Sequence, residues 1–154
     1  ENAIEHEVVI VADDIRVFRG KTAPVTLVCA SLFDERLGRS DIVGACDAAW
    51  DRGAFGAVHE SERPTYARSL ARLLRPGASV LVEVVNYDPA AMHGPPFSVS
   101  PDDMRSAFSS IFDRLELLLE DSPMPEAQRQ RLKVPNVNRG QCKNNQHCNV
   151  RALQ

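Results

Sequence analysis

Residues 80–85 read Val-Leu-Val-Glu-Val-Val, directly after a helical pattern and an Arg-Pro-Gly break. A nearly continuous apolar and β-branched run suits a strand covered on both faces, the habit of parallel sheets. Upstream, Glu60 to Leu74 carries Tyr66, Ala67, Leu70, Leu73 and Leu74 at spacings of three and four, which predicts a helix with one buried face. Ser61 is its candidate N-cap, Arg75-Pro76-Gly77 its stop, and Arg63, Arg68, Arg72 and Arg75 read as one solvated face. Helix, break and apolar strand make half of a βαβ unit. The chain is therefore expected to be α/β with a mostly parallel sheet, doubly wound.

The flanks fit that class. Glu7 to Ala12 and Ile15 to Phe18, separated by Asp13-Asp14, predict a hairpin. Val25 to Ala30 is another apolar run and is expected to be a buried parallel strand, with Cys29 and Cys46 as small buried hydrophobes. A short strand should end near Trp50. Ser100 to Phe112 reads as a helix, with Ser100 as cap, Pro101 in the first turn and Asp102 and Asp103 at its positive end. Leu115 to Leu119 fits strand or helix. After Val134 the chain is rich in Asn, Gln and basic residues with no apolar period. Residues 1–134 are therefore taken as the folded domain and 135–154 as a disordered tail.

The 154 residues fit one domain, and 44% of them are hydrophobic, enough for an ordinary core. A net charge of −3 gives no electrostatic footprint for a phosphate backbone, so nucleic acid is not an expected partner. No run of about 18 apolar residues occurs, so no membrane association is expected. Without a secretory leader the four cysteines read as reduced thiols in the cytoplasm. Cys142, His147 and Cys148 match no standard zinc spacing and lack a fourth ligand, so no metal is expected. His59 and His93 have no visible base-orienting partner and read as loop histidines.

Three segments at strand ends carry a family resemblance. They are Cys29-Ala30-Ser31-Leu32-Phe33-Asp34, Trp50-Asp51-Arg52-Gly53-Ala54, and Asn86-Tyr87-Asp88-Pro89 followed by His93-Gly94-Pro95-Pro96-Phe97-Ser98-Val99. In order and spacing, over residues 5 to 120, they resemble the thiopurine S-methyltransferases, which are class I S-adenosylmethionine-dependent enzymes. The resemblance implies a Rossmann-like sheet with its ligand crevice beyond the carboxyl ends of the strands. It also implies methyl transfer from S-adenosylmethionine to the sulfur of an aromatic or heterocyclic thiol, by a monomer acting on a small molecule. Ser31 and Leu32 would border the adenine, and Asp34 would accept from its exocyclic amine. Arg52 would lie beside cofactor and substrate, favouring the thiolate. Pro96 and Phe97 would wall the substrate pocket, and Arg129 would be a second substrate-side arginine.

The family's glycine-containing cofactor turn, with the acidic strand end after it, is not found in these residues, nor are its last strands. The expectation is therefore the C-terminal part of such a domain, with an incomplete sheet, low stability and weak cofactor binding. An inactive truncated remnant and a non-enzymatic binding module of the same fold are the alternatives. Residue by residue, Arg52 is otherwise a structural salt-bridge partner of Asp51 or another acid, Ser31 and Asp34 are turn caps, and Phe97 is core.

Overall fold

The computed structural model describes residues 4–90, 92–123 and 146–153, arranged in two sheets. In the first, β1 (His6–Ala12), β2 (Ile15–Gly20) and β3 (Thr26–Cys29) form an antiparallel meander in that order. The hairpin falls where the alternation puts it. Ile15 and Val17 point into a small core with Leu37 and Ile42, and Val9, Val11 and Val28 pack against it. The opposite face leaves Val8, Ile10 and Leu27 largely exposed. β3 is thus an antiparallel edge strand covered on one face, not the parallel strand covered on both that its apolar run predicts. Its run is apolar on both faces, but among the described residues only one face is covered. Cys29 is correspondingly exposed and Cys46 half-buried; both are free thiols.

The second sheet has the order β4-β5-β7-β6, from β4 (Cys46–Arg52), β5 (Leu74–Asn86), β6 (Arg114–Pro123) and β7 (Gln146–Leu153). β4 and β5 are parallel and joined by a helical crossover. β7 lies antiparallel to both of its neighbours. Among the described residues the sheet is therefore less parallel than expected, because β7 inserts between β5 and β6. That strand also corrects the expected tail. Gln146–Leu153 pairs along Ser79 to Asn86, and residues 135–145 lie outside the described residues. Its apolar period is short, with Cys148, Val150 and Ala152 spaced by two among polar residues. A strand between two others is held by backbone bonds on both sides and needs less from its side chains.

Among the described residues the helices are α1 (Ala54–Ala57), α2 (Arg63–Ala71) and α3 (Pro101–Phe108). The helix expected from Glu60 begins as a 3₁₀ turn, Glu60–Glu62, whose cap is His59 and not Ser61. The Ser61 hydroxyl instead meets His59 Nδ1 at 2.9 Å. The helix ends at Ala71, before the Arg-Pro-Gly, which falls inside β5. There Cys46 pairs with Leu74 but Ala48 with Ser79, so residues 75–78 form a bulge and Gly77 takes a φ of 82°. α3 forms as expected, with a reciprocal capping box between Ser100 and Asp103. The main core joins Val80, Val82 and Val84 of β5 to Phe55, Tyr66, Leu70, Met104 and Phe108. Among the described residues, no helix is long and apolar enough to cross a membrane.

Candidate functional site

The Trp-Asp-Arg-Gly segment occupies the carboxyl end of β4. Alternation along the strand puts Trp50 and Arg52 on one face and Asp51 on the other, toward the core. Asp51 is 6% exposed. Its carboxylate accepts from Ala54 N at 2.7 Å, from Phe55 N at 3.0 Å and from the Tyr66 hydroxyl at 2.7 Å. Gly53, at φ 102°, turns the chain from strand into α1 with no Cβ to strain it. Burial first, and then the hydrogen bond to Asp51, push the Tyr66 hydroxyl far above its usual range. Asp51 is therefore fully engaged as a structural anchor, and Arg52 is not its partner.

Arg52 is 76% exposed and lies 3.9 Å from Glu83, its cross-strand neighbour. Its guanidinium stands 5.8 Å from the centre of the Trp50 ring, whose Nε1 donates to Glu83 at 2.8 Å. Sequence reasoning missed Glu83. A lone carboxylate inside an apolar strand was the available signal, but its meaning depends on the register between β4 and β5.

Ser31 is exposed and Leu32 half-buried, and both sit on the turn after β3. Phe33 N donates to Ser31 Oγ at 3.3 Å, and Asp34 N donates to the Ser31 carbonyl at 3.0 Å. Leu32 packs against both cores. Asp34 caps the 3₁₀ turn Glu35–Gly38. Both of its oxygens are taken by Arg36, through the backbone N at 2.9 Å and the guanidinium at 2.5 to 3.1 Å. Those hydrogen bonds hold the Asp34 carboxyl down to about 2. The Asp34 carboxylate is thus engaged within its own turn, beside Ser31 and Leu32.

Asn86 to Pro89, His93, Phe97 and Ser98 of the third segment line a cavity of about 620 Å³ beyond the end of β5. Phe97 lines it and meets His59 edge-on, with ring centres 5.7 Å apart. The Phe97 N–H donates to Gly56 O at 2.7 Å, and the Tyr87 hydroxyl donates to Pro96 O at 2.5 Å, so the loop is tied to α1 and to the strand end. Arg63 lies in the same wall, 4% exposed. Its guanidinium donates to Ser98 O at 2.9 Å, faces Asp103 at 3.5 Å and stands 5.6 Å from the Phe55 ring. The solvated reading of Arg63 therefore fails, because it staples the start of α2 to the loop and to α3; Arg68 and Arg72 are exposed as expected. Ser31, Leu32, Asp34, Arg52 and Pro96 do not line this cavity, and Arg129 lies outside the described residues. Among the described residues, no group of three or more His, Cys, Asp or Glu side chains is placed to hold a metal.

The profile of the thiopurine S-methyltransferase family matches residues 2–143. The chain is 38% identical over 96 residues to the thiopurine S-methyltransferase of Bos taurus, covering 62% of this chain and 38% of that protein. It is 40% identical over 95 residues to that of Oryctolagus cuniculus, covering 62% and 38%. With the enzyme of Equus caballus it shares 36% over 105 residues, covering 68% and 42%. The chain thus spans well under half the length of these relatives. The segments that sequence alone singled out lie within the matched residues, and the chain belongs to the thiopurine S-methyltransferase family.

Proposed function

We propose that the protein transfers a methyl group from S-adenosylmethionine to the sulfur of an aromatic or heterocyclic thiol, giving the thioether and S-adenosylhomocysteine. The observation that carries this reading is the state of Arg52. It is an exposed cation at the carboxyl end of a parallel strand, released from Asp51, in a chain that belongs to this family. Open α/β sheets bind ligands beyond that edge. When bound, S-adenosylmethionine supplies the electrophilic sulfonium methyl group.

The residues of this chain have positioning tasks. Ser31 and Leu32 border the adenine, and Asp34, held by Arg36, fixes the turn that presents them. Arg52 stabilises the acceptor as its thiolate, the better nucleophile, after the thiol proton has gone to solvent. Pro96 and Phe97 wall the acceptor's ring and keep its sulfur in line with the bond to be broken, which is the main demand of a direct displacement. Arg129 is a second contact on the acceptor side. The protein works as a monomer on a small molecule in the cytoplasm.

The test is mass-spectrometric detection of the S-methyl product after incubation with S-adenosylmethionine and an aromatic thiol, alongside calorimetry with S-adenosylhomocysteine. Product formation and saturable binding are expected. Binding without product would leave a binding module, and neither would leave an inactive remnant.

A further inference from the structure

We infer that Glu83 is a positioning residue for Arg52: it holds the Trp50 indole as the platform on which the guanidinium rests, and it sets the charge felt by an anionic acceptor. The inference rests on the reaction proposed above and deepens it. Register explains the unit. Arg52 pairs directly with Glu83 across the parallel strands, and Trp50 precedes Arg52 by two residues, so all three side chains share one face of the sheet. That face is turned away from the core on which Val80, Val82 and Val84 pack.

Three contacts join the unit. Trp50 Nε1 donates to Glu83 Oε1 at 2.8 Å. The Arg52 guanidinium stands 5.8 Å from the centre of the indole ring. Its Nε lies 3.9 Å from Glu83 Oε2. Glu83 is 18% exposed and Arg52 76%, so the carboxylate is the fixed member and the guanidinium the mobile one. A long exposed side chain is held poorly by a single ion pair at that distance. A flat aromatic face beneath it adds a second constraint. The indole can serve as that face only if its own rotation is stopped, and the hydrogen bond to Glu83 stops it. Glu83 also subtracts from the positive field at Arg52, so a thiol bound there ionises less readily than it would beside an unopposed arginine.

Trp50 is the single tryptophan of the chain, so its fluorescence reports on this unit alone. The experiment compares the full chain with Glu83→Gln, Glu83→Ala and Arg52→Ala in two readouts. The first is quenching of Trp50 by iodide, an anion drawn to Arg52, relative to neutral acrylamide. The second is the pH profile of kcat for an aromatic thiol, which reports ionisations in the enzyme–substrate complex. Glutamine keeps an acceptor for the indole but removes the charge. Glu83→Gln should therefore raise the iodide-to-acrylamide ratio and move the acid limb of the kcat profile to lower pH. Glu83→Ala should lower the ratio toward that of Arg52→Ala and cut kcat by about tenfold, one weak contact's worth of misplacement.

An iodide ratio indifferent to Arg52→Ala would overturn the inference, as would a Glu83→Ala variant that matches the original in both readouts. So would an acid limb that stays in place in Glu83→Gln. If no thiol is methylated but the quenching pattern is as expected, the proposed reaction fails and Glu83 is still shown to place Arg52.

Discussion

At the scale of single residues, adjacent charges at one strand end have separate tasks. Asp51 points inward and accepts three hydrogen bonds, while Arg52 points outward and, among the described residues, meets Glu83 and the indole. Replacing Asp51 by Ala leaves two backbone N–H groups and a buried phenol without a partner. The expected loss is about 3 kcal/mol, read from urea unfolding. The Tyr66 hydroxyl gives a pH signature of the same network. Its folded value is raised above the ordinary 10.0. Its contribution is therefore full below pH 10 and falls as pH climbs beyond, because the unfolded phenol ionises first. Unfolding free energy measured from pH 8 to 11 should decline above 10 in the original protein, and Tyr66→Phe should remove that part of the slope. Arg63 was illegible for a related reason. It stands in the first turn of an amphipathic pattern where an arginine is ordinarily solvated, and only the packing of α3 and the 98–100 loop covers it. Arg63→Ala should cost about 2–3 kcal/mol in the same urea assay, because Asp103 and the Ser98 carbonyl lose a charged donor.

Among the elements, those with strong internal patterns were legible and those that depend on neighbours were not. Val80 to Val85 could be read because its β-branched run has one stable use, and it is an inner strand. The α3 capping box could be read from Ser100 and Asp103, and Ser100→Ala should cost about 1 kcal/mol, measured by the shift in thermal midpoint. β3 misled because an apolar run shows that two faces can be covered, not that they are. β7 misled because its pairing comes from the backbone between β5 and β6. The Arg-Pro-Gly at 75–77 has the composition of a helix stop, yet the helix ends earlier, since Leu73 O is needed by Cys46 N at 2.7 Å to start the parallel pair. For the candidate site, the strand-end motifs were legible, whereas Glu83 waited on the register.

For the molecule as a whole, the parallel pair β4–β5 with its helices builds one wall, and the meander β1–β3 presents the turn of Ser31 and Leu32. The outer faces at Val8, Ile10, Leu27 and Trp50 are apolar and open among the described residues, in a chain that spans 38% of the length of the Bos taurus relative. Function then depends on whether Arg52 acts on an acceptor or serves the scaffold. These alternatives separate in one experiment: turnover of an aromatic thiol and melting temperature, both measured on the same Arg52→Ala protein. Loss of one charge-assisted contact to the thiolate, about 1.5–3 kcal/mol, should lower turnover by one to two powers of ten with the melting temperature unchanged, and Arg52→Lys should recover part of it. Unchanged turnover with a large fall in melting temperature would make Arg52 scaffold and contradict the proposed chemistry.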